Sequence, residues 1–377
     1  MSVFFRPKDP HVRVGRSLLA IIFVVFSWAQ SAQAQGLGYY WQSVNGHLAV
    51  LNAARPVQDW LADPQTPTML KARLELAQRI RSFAVTDLHL PDSASYQRYA
   101  DLKRSAVVWN VVAAPPDSLT LKTWCFPIAG CAGYKGYYAE ADARKEADGL
   151  KAEGLEVSVY GVLAYSTLGY MNWAGGDPLL STFILYPEGE LARMLFHELA
   201  HQVVYAKDDT MFNESFATAV ERLGSQAWLA TQAGEAARKD YAVFDGRRSQ
   251  FRALTLATRR NLEKIYREVG ASASYVAIKN IAMENFRKDY EALKTSWGGY
   301  AGYDAWVARA NNASFGALAA YDELVPGFEA LYTQEARQPG SPWPRFYDAV
   351  KRLAAMTKAE RHATLKDLAG QTKIYAQ

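Results

Sequence analysis

Cysteine is nearly absent: the 377 residues contain two, Cys125 and Cys131, so no cysteine-rich metal cluster or multi-bridge scaffold can be built. Histidine is scarce as well, at six. A surplus of one charge sign is also missing. The formal net charge is +4 at pH 7, but Arg6, Lys8, Arg13 and Arg16 against Asp9 alone place +3 of it in the first 34 residues, leaving +1 for the remainder. That remainder offers no electrostatic footprint for a nucleic acid. No apolar run after Trp28 is long enough to read as a membrane span, and there is no internal repeat or low-complexity tract.

What the N-terminus does contain is a basic stretch, an apolar segment from Leu18 to Trp28, and Ala32-Gln33-Ala34, the small-x-small pattern at which signal peptidase cuts. Residues 1–34 therefore read as a signal peptide, with a mature chain beginning at Gln35. The apolar segment falls short of the roughly 20 residues that span a bilayer. The expected location is exported and periplasmic, without stable membrane insertion. In that compartment Cys125 and Cys131, close together around a Pro/Gly loop, read as a disulfide worth roughly 2 kcal/mol by loop entropy.

Two of the six histidines stand in His197-Glu198-Leu199-Ala200-His201. On a helix they lie one turn apart on one face, so both imidazoles can reach one zinc ion, with Glu198 beside it as a base for water. Leu191, Leu195, Leu199 and Val203 recur every four residues on another face. Pro187 followed by Glu188 and Glu190 marks a helix start, and the pattern predicts helix from 188 to 206. A catalytic zinc needs a third protein ligand and an open position. Glu214 is the candidate: the polar turn at Lys207, Asp208 and Asp209 can send the chain back, so a helix starting near Phe212 presents its first turn to the metal. Glu221, two turns on, is an alternative ligand or a carboxylate that holds a histidine ring, with Thr218 a smaller candidate for that second role.

Around this motif the periodicity changes twice. Residues 37–54 and 67–83 read as amphipathic helices. Residues 106–112, 120–126, 156–165 and 179–186 read as strands of one small mixed sheet, with a charged helix over 140–152. After Asn213 the pattern is almost wholly helical, with helices over 214–229, 235–269 and 274–293. The expected class is α+β, divided into residues 35–105 (helical), 106–230 (sheet and histidine helix) and 231–377 (helical). Tyr165, Ser166 and Thr167, at the end of the third strand, are candidates for binding a substrate backbone by strand addition. Residues 133–138 share that character. Tyr290, Tyr300, Tyr303, Tyr321, Asn311 and Asn312 are the candidate oxyanion donors, with no basis for choosing among them.

Asn213-Glu214-Ser215-Phe216-Ala217 after the histidine motif resembles the gluzincin metallopeptidases, and the resemblance makes Glu214 the third zinc ligand. More closely, the chain from about residue 36 resembles a bacterial family of exported zincins known as predicted aminopeptidases. The matching features are Gly38-Tyr39-Tyr40 with Gln42, the Trp124 to Tyr138 segment, Ala164 to Gly169, Asp177 to Thr182, the histidine helix, and Asn311-Asn312-Ala313 followed by Tyr321 and Val325-Pro326. The resemblance implies a zincin fold with a cleft floored by the histidine helix, one Zn2+ per chain, and a peptide substrate. Two departures matter. No cysteine precedes position 125, so the lipidated cysteine common in that family is missing. Gly169-Tyr170-Met171-Asn172-Trp173 stands where the typical gluzincin aminopeptidases place an amine-binding glutamate, so that task would fall to Glu188 or Glu190. The leading expectation is a zinc peptidase trimming peptide N-termini. A zinc amidase or endopeptidase acting on another envelope amide, and a non-catalytic envelope binding module, are the alternatives, although a site that only binds has no need of Glu198. The oligomeric state is not legible.

Overall fold

The computed structural model of the protein describes residues 37–126, 130–164, 166–169, 172–269 and 275–375. The expected signal peptide, its cleavage site and Tyr165 lie outside them. The chain divides after Leu48 into two units. In the first, the described residues belong to the start of helix α1 (Leu37–Ala53), where Tyr40, Trp41, Val44 and Leu48 are exposed.

The second unit takes in the end of α1, followed by strand β1 (Ala54–Pro56), helix α2 (Val57–Ala62), helix α3 (Thr68–Thr86) and strand β2 (Arg98–Ala100). Strands β3 (Val108–Ala114), β4 (Trp124–Phe126), β5 (Gly130–Ala132) and β6 (Lys135–Tyr137) follow, then α4 (Glu140–Ala152), β7 (Glu156–Val162) and β8 (Leu179–Leu180). The rest is helical: α5 (Glu188–Ala200), α6 (Thr210–Thr231), α7 (Glu235–Val269), α8 (Tyr275–Ser296), α9 (Asp304–Arg309), α10 (Asn312–Asp322), α11 (Val325–Glu335), α12 (Trp343–Ala354) and α13 (Lys358–Tyr375). The class is α+β, and no helix among the described residues is long and apolar enough to cross a membrane.

The single expected sheet is three small ones, in the orders β1-β2-β8, β6-β3-β7 and β4-β5. Strands β3 and β7 pair antiparallel along their full length, from Val108 opposite Val162 to Ala114 opposite Glu156. The expected fourth strand shrinks to Leu179–Leu180 because the next side chains take backbone partners. Ser181 Oγ accepts the Leu102 N–H at 2.9 Å, Thr182 Oγ1 bonds the Leu163 carbonyl, and Arg73 Nε donates to the Ile184 carbonyl at 2.9 Å. The chain curls into turns that a ladder would have excluded.

Helices α3, α5, α6, α11 and α12 share the main core, where Leu74, Ile80, Leu195, Phe196, Phe216, Trp228, Phe328 and Phe346 are almost fully buried. Phe216, from the segment after the histidine motif, lies among Phe328, Phe346 and Tyr347. A second cluster, with Phe251, Leu262, Phe286 and Phe315, holds the α7–α8 pair to α9 and α10. The first cluster fixes α5 against α6, and so sets the distance between the histidines and Glu214.

Candidate metal centre

Helix α5 carries His197 and Glu198 and stops one residue short of His201, which caps it in helical geometry. It ends six residues before the expected position for a physical reason. The buried Asn213 side chain accepts the Ala206 N–H at 2.8 Å and donates to the Ala206 carbonyl at 2.9 Å, pulling the chain out of helical register. Asp208 then turns the backbone at φ 62°, and Asp209 caps α6 by accepting the Phe212 N–H at 3.2 Å. The buried Asp209 carboxylate is held by His362 at 3.0 Å and Arg361 at 3.3 Å, both from α13. Asp208 also accepts the Cys131 N–H at 2.7 Å. Cys125 and Cys131 face each other across β4 and β5 and are joined by a disulfide.

The returning helix brings Glu214 to the histidines. His197 Nε2 lies 3.3 Å from His201 Nε2 and 3.3 Å from Glu214 Oε2, and His201 Nε2 lies 3.8 Å from the same oxygen. Among the described residues, His197, His201 and Glu214 form the group that could hold a metal ion. A tetrahedral zinc with bonds of about 2.0–2.2 Å separates its ligand atoms by about 3.3–3.6 Å. Two sides of the triangle have that length, the third, at 3.8 Å, is slightly longer, and the donors are of the right type. Glu198 and Glu221 add carboxylates beside it, so a dication also suits the local charge.

The outer nitrogens of the two rings differ. His197 Nδ1 lies 3.1 Å from Glu221 Oε2, the partner that orients a metal-binding ring. His201 Nδ1 is buried without a hydrogen-bond partner among the described residues. Thr218 is buried on α6 but bonds neither ring.

These contacts move the protons. Burial would lower His197, but its bonds to Glu214 and Glu221 outweigh burial and raise it well above 6.5. Burial, with the charge on His197, takes His201 down to about 4. Burial would raise Glu221, yet the Arg193 guanidinium and the His197 ring bring it down to about 2. Glu198 goes the other way: removal from water lifts it to about 7, Glu214, Asp177 and Glu221 add to the rise, and His197 opposes it. A carboxyl poised near neutrality suits a group that must both take and return a proton.

The tyrosines and asparagines offered as candidate oxyanion donors have these neighbours in the fold. Tyr290 is buried and bonds Asp304, Tyr303 is stacked on Phe251 at 4.0 Å, and Tyr300 lies under Arg247 at 4.3 Å. Asn311 donates to the Val157 carbonyl, and Asn312 to those of Pro115 and Ser118. The Tyr321 side chain is outside the described residues. Two other tyrosines sense the charge of the site. Tyr134, just before β6, is raised by burial and then by Glu214, with Glu198 contributing; Tyr160 of β7 is raised by burial and by Glu214. Only the residue 133–138 stretch hinted at Tyr134, and nothing in the sequence singled out Tyr160. Ser166 and Thr167 sit in irregular backbone beyond the end of β7, where Asp177 Oδ2 accepts the Thr167 N–H at 3.0 Å. Glu188 and Glu190 already have partners: Trp228 Nε1 donates to Glu188 at 3.0 Å, and Glu190 pairs with Arg193 and Arg248.

Residues 38–365 match the family described as Putative aminopeptidase. The chain belongs to that family. Neither the curated proteins nor the solved structures contain a match to it. The match spans α5 and α6, the helices that carry His197, Glu198, His201 and Glu214.

Proposed function

We propose that this family member is a zinc-dependent peptidase that cleaves peptide bonds, with free N-termini as its first substrates. The observation that carries the reading is the triangle of His197 Nε2, His201 Nε2 and Glu214 Oε2, whose sides of 3.3, 3.3 and 3.8 Å are close to those around a tetrahedral ion and whose donors are of the right type. A zinc ion held there supplies Lewis acidity for the scissile carbonyl and for water at neutral pH. Glu198 takes a proton from the water as its oxygen bonds to the carbonyl carbon. It then returns that proton to the amine nitrogen as the C–N bond breaks. Tyr134, whose phenol senses the charge of Glu214 and Glu198, is our candidate donor to the oxygen that becomes negative. Glu221 holds the His197 ring in place. The N-terminal segment supports an exported enzyme.

A second reading, hydrolysis of internal or blocked amides, is favoured by one observation. Glu188 and Glu190, which would hold a free amine, are bound to Trp228, Arg193 and Arg248 instead. A fluorogenic panel of free and N-blocked peptides, run with zinc analysis, decides between the two. Cleavage confined to free N-termini supports the first reading, and equal cleavage of blocked substrates supports the second. Zinc-loaded Glu198→Gln should lose at least roughly a hundredfold in turnover; turnover near that of the parent chain would rule out both.

A further inference from the structure

We propose that Arg193 is a positioning residue for the metal centre. Its guanidinium fork fixes Glu221, and through Glu221 the His197 ring, while Glu190 and Arg248 tie the fork to α7. The proposal rests on the reading of His197 as a metal ligand.

Glu190, Arg193 and His197 lie three and four residues apart, a single face of α5. Arg193 divides its two terminal nitrogens between carboxylates: Nη1 lies 3.4 Å from Glu190 Oε2, and Nη2 bonds Glu221 Oε1. Glu221 divides its oxygens in the same way, with Oε2 at 3.1 Å from His197 Nδ1. One carboxylate therefore spans from the guanidinium to the ring. On the far side, the other oxygen of Glu190 bonds Arg248 of α7, and Arg248 Nη1 lies 3.0 Å from Asp245. Charge alternates along the whole row. Its exposure falls from 53% for the Asp245 side chain, through 27% for Arg248 and 17% for Arg193, to 9% for Glu221. The row runs from solvent to the metal ligand, along the α5 face that α7 covers. At Gly189 the approach is tight, since a side-chain carbon there would stand 2.4 Å from the Tyr241 ring.

An exposed pair of this kind would matter little. Here Glu221 is buried, and a buried carboxylate that orients a metal-binding ring must itself be held in one orientation. Arginine can do so because its donors form a rigid planar fork that serves two carboxylates at once, whereas lysine offers a single point charge on a flexible stem.

The test is zinc affinity by competition with a chromogenic chelator, with thermal unfolding of the chelator-treated protein measured alongside. Glu221→Gln and Arg193→Met should each weaken zinc binding by about tenfold or more. In the Glu221→Gln background, Arg193→Met should cost nothing further, because its route to the ring has already been cut. A merely structural Arg193 would lower the unfolding temperature and leave zinc affinity unchanged, or would add its loss to that of Glu221→Gln; either result overturns the proposal. Should Arg193→Met fail to fold, Arg193→Lys keeps the charge without the fork, and full zinc affinity in that variant overturns the proposal equally. A parent chain that binds no zinc overturns the metal reading and this proposal with it, whereas a zinc-binding parent with indifferent Arg193 variants overturns this proposal alone.

Discussion

Asn213 and Ala206 are joined by two hydrogen bonds, one in each direction, and this pairing closes the loop between His201 and Glu214, two of the three residues that could hold a metal ion. His201 lies before the closed loop and Glu214 directly after it. Asn213→Ala leaves the Ala206 N–H and carbonyl without partners in a buried setting. It should cost about 2–4 kcal/mol in stability and weaken zinc binding as Glu214 loosens. Denaturant unfolding paired with zinc titration checks both effects; unchanged zinc affinity in a destabilised variant would mean that α6 is held without the loop.

Zinc binding should strengthen as pH rises, with a slope set by one proton. The His197 ring is held well above 6.5 by Glu214 and Glu221, and it must be deprotonated to bind a metal. His201, brought down to about 4, has no proton to lose near neutrality. Below the raised value of His197, apparent affinity should therefore climb about tenfold per pH unit. Competition titrations across the neutral range would show it. A slope of zero would mean that His197 is neutral without metal, and a slope of two would mean that His201 is charged as well.

Tyr134→Phe should remove one oxyanion donor while leaving the metal ligands alone. The expected result is a fall in kcat of about a hundredfold with KM little changed, and with zinc content at the level of the parent chain. Tyr160→Phe, whose phenol senses Glu214 but not Glu198, should do less. Equal and small effects from both would remove Tyr134 from the chemistry.

The parts of this architecture legible in the sequence are those that local spacing encodes. The one-turn separation of His197 and His201, the four-residue leucine repeat, and the long helices at 140–152 and 235–269 are all set by residues near one another in the chain. What escaped was set across distance. Helix α5 ends at Ala200, before the loop that Asn213, from the next helix, closes on Ala206. The fourth strand dissolves where Arg73, more than a hundred residues upstream, takes the Ile184 carbonyl. Tyr290 and Tyr303 are candidate oxyanion donors in sequence, whereas in the fold the Tyr290 hydroxyl is bonded to Asp304 and the Tyr303 ring is stacked on Phe251. Arg193 reads as an ordinary helix cation until α6 places Glu221 against it. Length and hydrophobic period cannot report which side chain will meet which backbone group.

Asp177 gives a pH dependence of stability whose direction is fixed by burial. Its side chain is removed from water, which raises its carboxyl, while bonds from Thr167, Ser166 and Ser95 oppose the rise without cancelling it. A carboxyl raised by folding contributes stability that is fully present below its unfolded pKa and is lost as pH climbs through the folded value. Asp177→Asn keeps the shape and cannot ionise. The stability of the parent chain relative to this variant should therefore fall as pH rises from about 4 and level off above the raised value. Urea unfolding of both proteins over that range measures the difference directly. A second effect should accompany it: Asp177 helps to raise Glu198, so the acid limb of kcat/KM should move to lower pH in the variant. A stability difference that is flat, or that grows in favour of the parent with rising pH, would show that the Asp177 carboxyl is not raised by folding.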